Sequence, residues 1–261
     1  MYAFAVSGAD AEAALRRLAP ALDGRLGVVR IGEAAADGGV AATRTDTEYT
    51  LDDGWRASGD DLSPGDALDR LAPDHDYAAV LGAVEARVPT LVVDGEGDIE
   101  DPLVETSDAD SLDIEATVDA IHETDPYETL ESLVASVKRS PEAEYSGGIA
   151  TFTGRVRPKD DEDDPRTTAL EFEKYEGVAE ERMRTIETEL EDRDGVLDVR
   201  LHHRTGRIEA GEDIVFVVVL AGHREEAFRT VEDGINRLKD EVPLFKKEVT
   251  EEETFWVHQR D

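Results

Sequence analysis

A chain with 63 aspartates and glutamates against 28 lysines and arginines, a formal net charge of −35, can fold only if nearly all its carboxylates stay in contact with water. An unpaired buried charge costs more than any single apolar contact returns. A balance this acidic describes either a disordered, solvating chain or a folded one with a carboxylate shell. The acids here are spread along the whole length and interleaved with apolar segments of clear periodicity. Hydrophobic residues make up 39% of 261 positions, enough to build cores. The reading is a folded protein of a high-salt cytoplasm, where such a shell keeps the surface hydrated. At molar salt the Debye length falls to ~3 Å, so self-repulsion is screened.

The same charge makes nonspecific nucleic-acid binding unfavourable, because phosphates meet a repelling mean field. The sequence has no Cys, which removes disulfides and thiolate metal sites. No apolar run approaches the ~20 residues that span a bilayer. Met1-Tyr2-Ala3-Phe4-Ala5-Val6 lacks the basic start of a signal peptide, so the expected location is intracellular.

Gly95-Glu96-Gly97-Asp98 opens a polar stretch that runs through Ser107-Asp108-Ala109-Asp110-Ser111 with almost no core-forming period. It reads as an acidic linker over 96–112, between a first domain at 1–95 and a second at 113–261. In the first domain, strands at 2–6, 26–31, 77–81 and 90–93 alternate with helices at 11–22 and 66–71. That pattern describes a small α/β domain. Residues 32–62 give no clear signal. In the second, the pattern predicts helices at 127–137, 178–193 and 225–241, the last stopped by Pro243. Strands are expected at 149–156, 168–175, 197–203 and 214–220. Leu197, Val199, Leu201 and His203 alternate with polar neighbours as a half-buried strand should, while Ile214 to Leu220 is continuously apolar and hence central. Strands mixed with helices in this order indicate an α+β fold.

In so acidic a chain, chemistry is sought where positive charge gathers. Arg237, Lys239, Lys246 and Lys247 lie on the last helix and its exit, His223 and Arg224 at its start, and Arg155, Arg157 and Lys159 after the Gly147-Gly148 strand. A helix start adds orphan N–H groups and the positive dipole end, which suits an anion. A lysine among like charges is easier to deprotonate, which suits general acid–base work or attack at an acyl centre. Charge alone favours the plainer alternative, that these bases pair with surface carboxylates. Phe152 taken alone reads as core and His223 as a satisfied structural histidine. His202 and His203 are strand neighbours that point to opposite faces, so no metal is assigned to them. The acidic loop Asp160 to Asp164 reads as solvated surface.

Gly147-Gly148-Ile149-Ala150-Thr151-Phe152-Thr153-Gly154-Arg155-Val156-Arg157 is similar to the first signature of the molybdopterin synthase large subunit. Leu170-Glu171-Phe172-Glu173-Lys174-Tyr175, His203-Arg204-Thr205-Gly206, Ala221-Gly222-His223-Arg224, Pro243-Leu244-Phe245-Lys246-Lys247-Glu248 and Trp256-Val257 continue the likeness in family order. It covers roughly residues 113–261. The resemblance implies an α/β hammerhead-like α+β domain that transfers sulfur from the Gly-Gly thiocarboxylate of a ubiquitin-like small subunit to cyclic pyranopterin monophosphate. Two transfers make the molybdopterin dithiolene. It implies Lys239 and Lys246 as catalytic residues, Arg157, His223, Arg224 and Phe152 as substrate-binding residues, no cofactor, and a homodimer within a heterotetramer. With no Cys, the sulfur must come from the partner. A noncatalytic docking protein for ubiquitin-like carriers is the alternative.

The first domain weakly resembles the GTP-binding P-loop adaptor family of molybdenum cofactor maturation, through Tyr2 to Leu22, Leu68 to Pro73, Asp76 to Gly82 and Pro89 to Val93. A P-loop needs glycines that let amides wrap phosphate and a lysine to neutralise it. Here Gly8 is followed at that spacing by Ala13, Ala14 and Leu15, and Leu81 stands where an acid should precede Gly82. The expectation is a degenerate P-loop fold without nucleotide hydrolysis, serving as a scaffold or docking domain.

The charge reading carries a salt prediction. Transfer from molar to millimolar salt should loosen the fold, seen as lost helical circular dichroism; an unchanged spectrum would remove the high-salt assignment.

Overall fold

The computed structural model describes residues 1–31, 47–51, 55–59, 62–82, 87–95, 99, 101–159, 161–162, 165–175, 177–251 and 254–257. It divides into two compact units, Met1–Thr129 and Leu130–Asp261. Most of the stretch 32–62, part of the acidic loop at 160–164 and the last four residues lie outside the described residues.

The first unit begins with strand β1 (Tyr2–Ser7), helix α1 (Ala11–Leu18) and strand β2 (Leu26–Arg30). The helix expected over 11–22 stops at Leu18. Pro20, which has no N–H to continue the i−4 ladder, sits in a 3-10 turn at Ala19–Ala21. An antiparallel hairpin, β3 (Thr47–Leu51) and β4 (Trp55–Gly59), follows. Helix α2 (Pro64–Leu71) starts two residues before the expected Asp66, because Ser63 and Asp66 form a reciprocal capping box and Pro64 fits the first turn. Then come β5 (Tyr77–Leu81), β6 (Thr90–Val93), β7 (Val104–Thr106) and α3 (Ile114–His122).

The strands form a parallel sheet in the order β2-β5-β1-β6-β7. Alternate residues of β1 face opposite layers. Phe4 and Val6 pack with Leu15, Leu18 and Ile121 of α1 and α3, while Ala3 and Ala5 pack with Leu68 of α2. The expected linker and the boundary at 113 are corrected here. Val104–Thr106 is the fifth strand of the sheet, Leu103 N–H bonds to Thr90 O at 2.9 Å, and Ala109 and Leu112 are buried in the same core as Phe4. A three-residue strand with isolated apolar anchors among aspartates and serines offers no period to read. Tyr127, expected to open a helix, instead bonds through its N–H to Met1 O at 2.7 Å and through its hydroxyl to Asp69 at 2.7 Å.

The second unit starts with α4 (Leu130–Lys138) and continues with β8 (Gly148–Arg155), β9 (Thr167–Lys174), α5 (Val178–Glu191), β10 (Val196–His203), β11 (Gly206–Glu209), β12 (Asp213–Ala221), α6 (Arg224–Glu241), β13 (Leu244–Thr250) and β14 (Thr254–Val257). Two antiparallel sheets result, β10-β12-β8 and β11-β9-β13-β14. β12 is central, as its unbroken apolar run requires. Val215, Val217 and Val219 face α5 and α6, and Phe216, Val218 and Leu220 face α4. The second sheet closes over Val156, Leu170, Phe172, Ile208 and Ile214.

β10 is a sheet edge whose outward N–H groups need partners. Helix α5 supplies them from one face. Val199 N–H donates to Glu191 at 2.8 Å and Leu201 N–H to Glu187 at 2.6 Å, the i,i+4 spacing of the glutamates matching alternate strand residues. Burial pushes the Glu187 carboxyl up from 4.5 to about 7, against the pull of the Leu201 bond and the Arg200 charge. The folded chain therefore holds this proton more tightly than the unfolded one. The stability this group contributes is complete below about pH 4.5 and is lost as pH rises through about 7. Glu187→Gln keeps an acceptor for Leu201 without the charge. In urea melts the variant should gain on the order of 2 kcal/mol over the parent between pH 5.5 and pH 8. A difference that does not change with pH would show that this carboxyl is ionised throughout.

Candidate functional site

The basic residues singled out by the sequence divide into two sets. Arg155 pairs with Asp213 at 3.0 Å, and Lys247 with Glu171 at 2.9 Å beneath the Trp256 ring. Arg237 bonds to Glu241 at 2.7 Å and also pairs with Glu189. Lys159 donates to the Glu162 carbonyl at 2.9 Å. For these four, local pairing accounts for the charge. Among the described residues no carboxylate is paired with Lys246, His223 or Arg224. An uncompensated cation in so acidic a chain is the feature to explain.

Their placement follows from the way α6 returns over the sheet. β12 runs nine residues from Asp213 to Ala221, and α6 begins three residues later and runs back across the same face. His223 occupies the N-cap of α6 with no side-chain cap bond, and Arg224 is the first helical residue; both are exposed. Lys239 lies fifteen residues down the helix, about 22 Å away at 1.5 Å per residue. Only Val242 and Pro243 separate α6 from β13, so Lys246 follows at the same end. There it is the register partner of Phe172 on β9. Arg157 belongs to this end too. It follows Val156, whose N–H bonds to Glu212 O at 2.9 Å at the start of β12 and whose side chain shares a cluster with Phe172. Phe152 lies half-buried on the α6 side of β8, opposite Val217 and packed with the core that includes Leu244.

One chain therefore places Lys239, Lys246 and Arg157 toward one end of the unit, His223 with Arg224 at the other, and Phe152 between them, opposite the middle of β12. The catalytic and substrate-binding residues that the family resemblance implies do not all come together within one copy, because the length of α6 separates them.

The lysine end contains residues the sequence reading passed over. Leu170, Phe172 and Lys174 alternate along β9, so Lys174 shares the inward face, where its side chain is 13% exposed and pairs with Glu180. Burial pushes the Glu180 carboxyl up, but its bond to Lys174, the Lys174 charge and bonds from backbone N–H groups together outweigh this and leave it below its ordinary value. His203 meets Phe172 edge-on, ring centroids 4.6 Å apart, while His202 stacks on Phe216 on the opposite face. The His203 Nδ1 lies 2.7 Å from the Arg204 carbonyl, which makes Nδ1 the protonated nitrogen. Burial, with the Lys174 charge adding to it, pulls His203 down from 6.5 to about 4. Motif and period together could have found both residues, since each sits in a quoted motif at an inward-facing position. Among the described residues no group of three or more His, Asp or Glu is arranged to hold a metal.

A family model described as "MoaE protein" matches residues 122–241. The chain is 51% identical over 267 aligned residues, 100% of both proteins, to a probable molybdopterin synthase from Haloferax volcanii. It is 37% identical over 128 residues, 49% of this chain and 82% of the relative, to the molybdopterin synthase catalytic subunit of Pyrococcus abyssi. Among solved structures, the molybdopterin synthase of Staphylococcus aureus is 32% identical and covers 44% of this chain and 83% of its own, with a TM-score of 0.42.

The buried histidine gives a direct check. A depressed histidine pKa means its stability contribution is complete above about pH 6.5 and lost as pH falls through about 4. Imidazole nitrogen shifts should therefore hold His203 in the neutral, Nδ1-protonated form from pH 8 to pH 5. A midpoint near 6.5 would show that the ring is solvated and not packed on Phe172.

Proposed function

The chain belongs to the molybdopterin synthase family, and from that premise we propose how its catalytic subunit uses the residues of the second unit. The substrate is cyclic pyranopterin monophosphate, and the sulfur donor is the Gly-Gly thiocarboxylate of a ubiquitin-like small subunit. The thiocarboxylate sulfur attacks a pterin side-chain carbon and displaces the oxygen that carbon bears, the cyclic phosphate's ester oxygen in one round and a hydroxyl lost as water in the other, to form a thioester bridge to the carrier. Water then attacks the glycyl carbonyl, releasing the carrier as carboxylate and leaving the sulfur on the pterin. A second round completes the dithiolene.

Each proposed role follows from charge and position. Arg157 and Arg224 clamp the phosphate by charge-assisted hydrogen bonds, which act at contact distance and so survive salt that screens longer-range attraction. Lys239 stabilises the acyl and phosphate charge that develops as sulfur attacks. Lys246 moves a proton or assists opening of the cyclic phosphate. Phe152 walls the pocket.

Because α6 holds His223 and Arg224 away from Lys239, the complete set comes from two copies. One copy contributes Arg157, Lys239 and Lys246, and the other His223 and Arg224. The dimer with two carriers is the proposed heterotetramer. The observation that carries the reading is the absence of a described carboxylate partner for Lys246, His223 and Arg224, in a chain that neutralises the neighbouring Arg155, Arg237 and Lys247.

The first unit is assigned a scaffolding or docking role without nucleotide hydrolysis. In its β1–α1 turn the Ala9 N–H donates to Asp94 O at 3.1 Å, and a Cβ on Gly8 would lie 1.8 Å from the Val93 carbonyl oxygen. The turn is drawn shut against the end of β6, with its amide turned away from any phosphate.

The test uses purified chain, precursor and thiocarboxylated carrier, scored for molybdopterin. Lys239→Ala and Arg224→Ala chains should each lose activity while still dimerising. Mixed, they should recover about a quarter of the parental rate, since half the dimers then hold one intact site. No recovery on mixing would confine the site to one copy; full activity of Lys239→Ala would end its catalytic assignment.

A further inference from the structure

The last turn of α6 is fastened to α5 by a network of ion pairs. Glu241 accepts from Arg237 Nε at 2.7 Å and from Arg237 Nη2 at 3.2 Å, and its second oxygen is also gripped by Arg182 of α5. Arg237 in turn pairs with Glu189 of α5. The Arg237 and Glu241 side chains are 22% and 24% exposed, so the pairs are partly shielded from the salt that would screen a surface contact.

We propose that Glu241 is a positioning residue for sulfur transfer, tied by Arg182 and Arg237 so that one carboxylate orients both Lys239 and Lys246. The inference rests on the assignment of those lysines made above.

Successive residues of a helix advance by about 100°, so Arg237 and Glu241 share a face and Lys239, two residues from each, projects from the other side. Pinning the back of this turn to α5 sets the direction in which Lys239 leaves the helix. The connector to β13 is as tightly defined. Val242 N–H bonds to Leu238 O at 3.1 Å, Pro243 offers no N–H, and Leu244 N–H bonds to Val242 O at 2.9 Å. Lys246 therefore inherits any rotation of the turn five residues earlier. Holding the helix end in the fold is a separate task, met by Leu238 and Val242, which are 2% and 6% exposed. The ion pairs can be removed while that anchor stays.

Positioning and plain destabilisation predict different kinetics. Loss of Glu241 removes a negative charge near the proposed phosphate site, so it should not weaken precursor binding. Misdirected lysines should slow the chemical step. In the full-chain assay with precursor and thiocarboxylated carrier, Glu241→Gln should lower kcat by about ten-fold or more while KM for the precursor rises by no more than about two-fold. Amide exchange should quicken at residues 239–246 and not in β12. Glu241→Asp, which keeps the charge, should recover part of the rate. Arg182→Gln cuts the tie to α5 but leaves the pair within α6, so it should lower kcat in the same sense even if Glu241→Gln does not fold.

An unchanged kcat in Glu241→Gln and Arg182→Gln, or a loss carried by KM with exchange quickened throughout, overturns the proposal. Lys239→Ala and Lys246→Ala in the same assay separate the two levels. If both retain full activity, the lysine assignment itself fails; if both are inactive while the Glu241 and Arg182 variants keep their kcat, only the positioning role fails.

Discussion

The second unit depends on how closely α6 lies against β12. Gly234, in the middle of the helix, faces the strand, and a Cβ there would come within 3.0 Å of Val217 and 3.6 Å of Leu190. A glycine inside a helix costs ~1 kcal/mol relative to alanine. Here that cost is offset by the close approach that lets Val231, Ile235 and Leu238 bury against the valines of β12. The same contact fixes the direction of α6, and with it which of the candidate site residues share an end of the unit. Arg224 leaves one end because β12 ends there, and Lys239 reaches the other because the helix has no room to veer.

A chain with a net charge of −35 has acids to spare, and several do work that a neutral chain would give to backbone or amide groups. Glu187 and Glu191 stand in for a neighbouring strand along β10, accepting from two N–H groups that would otherwise invite another edge to pair. Glu241 joins two helices through two arginines. These uses carry opposite electrostatic signatures. The guanidiniums hold Glu241 below its ordinary range, with the Arg237 bond the leading cause, whereas burial leaves Glu187 near neutrality. The difference is burial first and the partner second: Glu187 is withdrawn from water with only a backbone N–H and a more distant cation to offset the cost, whereas Glu241 faces full positive charges.

Much of this was legible in the sequence because period and burial coincide. The run Ile214 to Leu220 could only be a strand covered on both faces, and the alternation announced that Val199 and Leu201 share one face, whereas a bulge between Val196 and Asp198 puts Val196 on that face and turns Leu197, expected there, toward α4. What failed to show did so for physical reasons. β7 is three residues long, and its anchors, Leu103, Val104, Ala109 and Leu112, are scattered among acids, so a strand and a core looked like a linker. The helix expected from Tyr127 begins at Leu130, because the tyrosine is committed to Met1 and Asp69, contacts no local pattern encodes. The candidate site was legible as a set of residues and illegible as a place. Motifs list side chains, but their separation depends on which way α6 points after β12.

That separation bears on how such a site can be built. Five cationic or polarisable groups gathered inside one protomer would repel one another before substrate arrived, and the fold would have to hold them with carboxylates that compete for the same contacts. Dividing them between the two ends of a helix about 22 Å apart leaves little repulsion between the two sets. The two-fold axis of the proposed dimer would resolve the geometry in a single operation, because an isologous interface sets residue i of one copy against residue j of its partner and j against i. In the proposed dimer the lysine end of each copy would meet the arginine end of the other, two complete sets would form at once, and charge would accumulate only where a phosphorylated ligand can neutralise it. On this argument the length of α6 is what ties catalysis to assembly.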